Sequence, residues 1–201
     1  QPPGIRAVNI LAAENQLDPQ QVVVLAYRIA GGHVEALGTG RAGQFAEIVQ
    51  ADGSASAADA AARADEAEIR ALAGRSAQER FAFWRAEFAR CVKCYACRQA
   101  CPMCYCTRCI VECNQPQWIS PSAHELGNFE WNAVRAFHLA GRCVECGNCE
   151  RACPAGIRLM LLNRRLAREV REAFDYVPGL AADQPPVLAS FKQDDPQEFI
   201  R

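Results

Sequence analysis

Apolar residues change their rhythm along this chain, and each change marks an element. The run VVVLAY at 22–27 is short and rich in β-branched side chains, and Gly31 and Gly32 close it. That pattern predicts a buried strand, within an N-terminal stretch that also carries a helix. Residues 51–56, ADGSAS, are small and polar and read as a loop. Ser56 with Asp59 and Ser76 with Glu79 both fit a capping box, and Gly74 separates them. Two helices are therefore expected to follow. In the second, Phe81, Trp84 and Phe88 share one face at helical spacing and point toward a core. Asn128 is placed to cap a helix through FEWNAVRAFHLAG, with Gly141 as its stop. Beyond Pro154, Leu159, Leu162, Leu166 and Val170 form one apolar stripe of an amphipathic helix. From residue 176 onward prolines replace periodicity, which predicts an extended tail lying on this protein or on a partner. The expected class is α+β.

Composition narrows the function more by exclusion than by suggestion. Half of the 201 residues are hydrophobic, enough for a packed core without covalent staples. The formal charge of −1 offers no basic surface for a nucleic-acid partner. No run approaches the ~20 apolar residues of a membrane-spanning helix. No Ser-His-Asp set, paired carboxylates or phosphate loop stands out, so the chain is expected to lack bond-making chemistry of its own. GTGRAG at 38–43 matches a dinucleotide-binding fingerprint literally. It lacks the hydrophobic strand before it and the helix after it, so it reads as a turn.

The cysteines carry the chemistry. Cys91, Cys94, Cys97 and Cys101 follow C-x2-C-x2-C-x3-C-P, and Cys143, Cys146, Cys149 and Cys153 repeat it. Val92 matches Val144, Ala100 matches Ala152 and Pro102 matches Pro154. Three thiolates spaced by two residues can wrap one loop around a corner of a cubane. The fourth, set off by three residues and followed by proline, does not close that loop comfortably, and in this motif it ligates the other cluster. One 4Fe–4S cluster is thus expected on Cys91, Cys94, Cys97 and Cys153, and a second on Cys143, Cys146, Cys149 and Cys101. Disulfides across such short spacings have no visible pairing logic. Structural zinc uses paired C-x2-C knuckles instead of three evenly spaced cysteines. Coordinated thiols are deprotonated, so two such clusters would bring the charge to roughly −5. A reducing cytoplasm is the expected location, free or at the edge of a membrane complex.

These residues resemble the bacterial-type dicluster ferredoxin motif over roughly residues 88–160. CPMCYCTRC, then QPQWIS, then RAFHLAGRCVECGNCERACP are similar to stretches in a narrower group. That group comprises iron–sulfur subunits attached to hydrogenases, formate dehydrogenases and heterodisulfide-reductase-type complexes, with the ferredoxin part of deazaflavin-reducing hydrogenase beta subunits. The resemblance implies a ferredoxin-like dicluster domain that relays electrons between a catalytic redox subunit and a flavoprotein or quinone-linked subunit. The patterns along the chain divide it into an N-terminal α/β region (1–56), a helical connector (57–90), the dicluster domain with flanking helices (91–175, insert 102–142) and the tail (176–201). A free soluble dicluster ferredoxin, a fragment of a flavin- or deazaflavin-dependent reductase, and a metal-stabilised interaction module are the alternatives. The long insert departs from small free ferredoxins, and no sizeable domain follows the cysteine runs as one does in the deazaflavin-reducing subunits.

Cys104, Cys106, Cys109 and Cys113 stand outside the repeat as C-x-C-x2-C-x3-C. A third 4Fe–4S cluster, a zinc ion on four thiolates, and free or regulatory thiols are all open to them. His124 is a substitute ligand in principle, although a histidine at a helix start is more often structural. Lys93, Arg98, Arg108, Arg142 and Arg151 lie in or beside the cysteine loops, where they either offset cluster charge or are simply solvated. Trp118 and Trp131 read as core or interface.

Overall fold

A computed structural model describes residues 3–30, 33–40, 57–180, 183–187 and 193–194. Helix α1 (Pro3–Ala13) precedes an antiparallel hairpin of β1 (Val24–Ala30) and β2 (His33–Gly40). Long helices α2 (Ala57–Ala73), α3 (Ala77–Ala89), α5 (Glu125–Leu139) and α7 (Leu159–Phe174) follow, with one-turn helices α4 (Ala96–Gln99) and α6 (Asn148–Arg151) between them. The chain is α+β, with its strands confined to the N-terminal part among the described residues.

The strand exists, but it is not buried. Val23, Leu25 and Tyr27 are exposed while their alternating neighbours are half-buried. Among the described residues the ribbon has only two strands and no second layer, so only one face finds cover. The segment from 33 to 40 is too polar for a central strand yet serves as the partner strand of this ribbon. Its register shifts between Ala26 and Tyr27, opposite Gly38 at φ 150°. The first half of GTGRAG is therefore strand and not turn; residues 41–43 lie outside the described residues, as do Ser56 and its expected cap.

The four long helices form the frame for the cysteine loops. Ser76 makes the expected capping box with Glu79. Phe88 is fully buried and stacks with Trp84, whereas Phe81 stays half-exposed and touches Phe129 of α5. Helix α7 lays Leu161 against Ile69 and Leu72 of α2. Its buried side is Leu159, Met160, Asn163, Ala167 and Val170; Leu162 and Leu166 are only half-covered. Asp65 of α2 is buried and accepts from Arg158 (2.8 Å) and Arg164, a cross-link between the two helices.

Helix α5 begins one turn earlier than Asn128. His124 is the N-cap: its backbone is extended (φ −140°, ψ 162°) and its Nδ1 accepts from Gly127 N–H at 3.3 Å. Asn128 lies inside the first turn, buried, and its amide donates to the carbonyls of Cys91 (2.7 Å) and Ala89 (3.4 Å). A capping role needs non-helical backbone, which position 124 has and position 128 does not. Gly141, at φ 70°, follows the end of α5 as expected.

The described part of the tail packs on the protein itself. Tyr176 is buried, and α1 holds the following turn through Arg6 Nε to Pro178 O (2.8 Å) and Asn9 Nδ2 to Gly179 O (2.9 Å). Gly179 has φ 72°, and a Cβ there would meet Arg6 O at 2.2 Å. Gly179→Ala is therefore expected to cost roughly 2–4 kcal/mol through clash and left-handed strain, read as a lower denaturation midpoint of the native protein.

Candidate metal centres

The two cysteine runs fold alike because their backbones bend at the same places. Lys93 and Tyr95 in the first run have φ 55° and 59°; Glu145 and Gly147 at the matching positions have 59° and 73°. Each loop then enters a one-turn helix, α4 or α6, that ends in Ala100 or Ala152 with nearly identical angles. Left-handed residues other than glycine are strained, and they recur where the surroundings hold them for a purpose. Here the bends turn backbone N–H groups toward cysteine sulfurs, those of Lys93, Arg98 and Glu145 among them. Lys93 N–H already points at Cys91 Sγ, at 3.4 Å.

Packing of α4 against α6 brings each run's last cysteine to the other run's first three. Cys91, Cys94, Cys97 and Cys153 line one space of about 320 Å³, walled by Tyr95, Trp131, Ile157 and Leu159. Cys143, Cys146, Cys149 and Cys101 line another of about 290 Å³, walled by Met103, Leu139, Val144 and Met160. Neither lining includes an aspartate or glutamate.

Burial makes these thiols reluctant acids on their own. It pushes the Cys143 thiol up to about 12, and it raises Cys97 and Cys149 against the opposing pull of Arg135. Cys101 runs the other way, down to about 6, because Cys104 donates its thiol proton to it; the same bond raises Cys104. Four thiols in a dry space with no protein counter-charge in its lining suit a polynuclear cation, whose own charge ionises its ligands and releases their protons.

The cation nearest to both sets is one the cysteine spacing does not point to. Arg135 is 4% exposed. Its Nη2 donates to Cys97 O at 2.9 Å, and its Nε has no partner. Its charge acts on Cys97, Cys104, Cys149 and Cys101 together. A buried donor without an acceptor, aimed among sulfurs, fits an anionic cluster beside it. The signal in the sequence is a charge on a buried stripe: Arg135 sits four residues from Trp131 and four from Leu139, both buried. The cations inside or beside the loops have other duties. Lys93 donates to Ser120 O (2.7 Å), Arg98 pairs with Glu112, Arg142 grips Glu14 in the turn after α1, and Arg151 donates to Cys146 O (2.9 Å); Arg108 is exposed.

The other four cysteines do not all meet. Cys104, Cys106 and Cys109 line a further space, about 750 Å³ counted to its open mouth, together with Arg98, Arg135, His138 and Arg142. Cys113 is not in that lining; its thiol donates to Cys109 O at 3.7 Å. His124 is occupied as a helix cap. Among the described residues no three His, Cys, Asp or Glu side chains converge as a single metal ion would need. Trp131 is buried against Tyr95, and Trp118 is exposed.

Residues 90–158 match the family described as "4Fe-4S dicluster domain". This part of the chain is a 4Fe–4S dicluster domain. Such a domain carries two 4Fe–4S clusters, and the two four-cysteine spaces fit that number. The chain is also similar to the F420-dependent formate dehydrogenase subunit beta of Methanocaldococcus jannaschii, 33% identical over 106 residues. It is 30% identical over 105 residues to the F420-dependent formate dehydrogenase 1 subunit beta of Methanococcus maripaludis. Each match covers 52% of this chain but only 27% and 26% of those proteins, so the chain spans about a quarter of their length. Among the described residues no helix is long and apolar enough to cross a membrane.

Proposed function

We propose that the dicluster domain holds one cluster on Cys91, Cys94, Cys97 and Cys153 and the other on Cys143, Cys146, Cys149 and Cys101. On this reading the chain passes single electrons through them as the iron–sulfur subunit of a formate-dehydrogenase-type complex. Formate oxidation would take place on a catalytic partner subunit, and the electrons would leave to a flavin- or deazaflavin-linked partner. The observation that supports the reading is that Cys153 lines the space of Cys91, Cys94 and Cys97 while Cys101 lines that of Cys143, Cys146 and Cys149. Both spaces therefore draw on both runs, which meet where α4 packs on α6. Electron transfer is favoured by small reorganisation, and a centre held by two separate loops is hard to distort.

Likeness to formate dehydrogenase beta subunits over half of this chain supports the identity of the partner. Anaerobic purification of the native protein from its host tests it. The expected result is co-purification with a formate-oxidising subunit, with both clusters reduced when formate is added. Isolation as a monomer whose clusters formate leaves oxidised in the whole extract would sink the proposal in favour of a free ferredoxin.

A further inference from the structure

Cys104, Cys106 and Cys109 stand outside both crossed sets, although Cys104 bonds to Cys101, and they line a space of their own. We propose that it is a third 4Fe–4S site, held by Cys104, Cys106 and Cys109 with His138 as the fourth ligand. The proposal adds to the two-cluster reading and leaves it unchanged.

The donors are of the right kind: three thiols and one imidazole share this lining, and it contains no carboxylate. Their loop is anchored at both ends. Glu112 accepts from Cys109 N–H (2.7 Å) while Arg98 binds the same carboxylate at 2.7 and 3.3 Å. Tyr105, between Cys104 and Cys106, donates to Glu14 (2.7 Å), which Arg142 grips at 2.6 and 2.7 Å. The Arg142 guanidinium lies 5.0 Å from the centre of the Tyr105 ring. Arg98, Arg135 and Arg142 all line the space; Arg98 and Arg142 are held by Glu112 and Glu14, and Arg135, whose charge acts on Cys104, is the one that would offset thiolate charge.

Three cysteines and a histidine are also a zinc set. Two observations favour the cluster. The space is larger than either four-cysteine space by the same measure, about 750 Å³ against 320 and 290 Å³. As in the two four-cysteine spaces, no three of its His and Cys side chains meet as a single metal ion would need. Position supports a redox role. Met103 and Leu139 wall both this space and the Cys143 space, and Trp131 walls both this space and the Cys91 space. Single side chains therefore stand between the third site and its neighbours, and Cys104 touches the Cys143 set directly through its hydrogen bond to Cys101. Cys106 and His138 are exposed, so this centre would lie at the surface, where electrons enter or leave.

Iron, acid-labile sulfide and zinc measured on the anaerobically reconstituted full chain decide the matter. The expected content is about twelve irons and no zinc, with Cys106→Ala losing about four irons and keeping the spectra of the other two clusters. His138→Ala is expected to abolish a nitrogen hyperfine coupling from the third cluster, and Cys113→Ala to change neither iron content nor spectra. A wild-type content of about eight irons, with or without one zinc, would overturn the proposal while leaving the two-cluster reading standing. Content below eight would count against both. A nitrogen coupling that survives His138→Ala, or loss of iron in Cys113→Ala, would overturn the ligand set.

Discussion

Removing Cys94 together with Cys153 is expected to cost about four irons per chain, while removing Cys94 together with Cys101 costs about eight. Both pairs delete two cysteines, so they differ only in whether the two belong to one cluster. Cys94 and Cys153 line the same space, and Cys101 lines the other. Two deletions from one ligand set are strongly non-additive, because the first already releases the cluster; deletions from separate sets add. Alanine is the replacement of choice, since a serine oxygen could still reach iron. Iron and sulfide assays, with electron paramagnetic resonance of the cluster that remains, give the answer. If Cys94→Ala with Cys101→Ala lost about four irons while Cys94→Ala with Cys153→Ala lost about eight, each run would hold its own fourth cysteine. The crossed arrangement would then be wrong.

Replacing Arg135 by leucine is expected to lower the reduction potentials of both clusters, by on the order of 100 mV. That is the effect of one unit charge a few ångströms away at an effective dielectric near 20. The sign follows from charge: reduction adds an electron to an anionic centre, and a nearby guanidinium favours it. Arg135 is buried, so water screens little of the effect, and it acts on cysteines of both sets. Potentiometric titration followed by paramagnetic resonance measures the shift. Arg135→Lys keeps the charge and should recover most of it, losing only the planar donor that reaches Cys97 O at 2.9 Å. Unchanged potentials in Arg135→Leu would reduce Arg135 to a packing residue.

Several parts of the molecule follow from short-range rules and can be read along the chain. The repeated cysteine spacing carries the backbone of both loops, because bends at matching positions depend on a handful of neighbouring residues. The same locality makes the Ser76–Glu79 box, the stop at Gly141 and the existence of α7 readable. The crossed pairing is an expectation from the motif; in the structure Cys153 lines the same space as Cys91 and Cys101 the same space as Cys143.

Other features depend on which elements meet, and no local pattern contains that. VVVLAY has the residues of a buried strand, but burial needs a second layer, and the ribbon that forms leaves Val23, Leu25 and Tyr27 in solvent. Asn128 has the side chain of a cap, yet His124 takes that role and Asn128 turns to the Cys91 carbonyl. Arg135 becomes the central cation only because α5 crosses both cysteine loops. Cys113 leaves its three neighbours because the turn at Ile110–Glu112 directs its thiol to a backbone carbonyl. By itself the sequence determined the local chemistry: two equal cysteine loops shaped for cubane clusters, and four cysteines left over. Tertiary structure alone decided which cation lies among them and which of the four leftover thiols share a space, because charge and distance act through space and not along the chain.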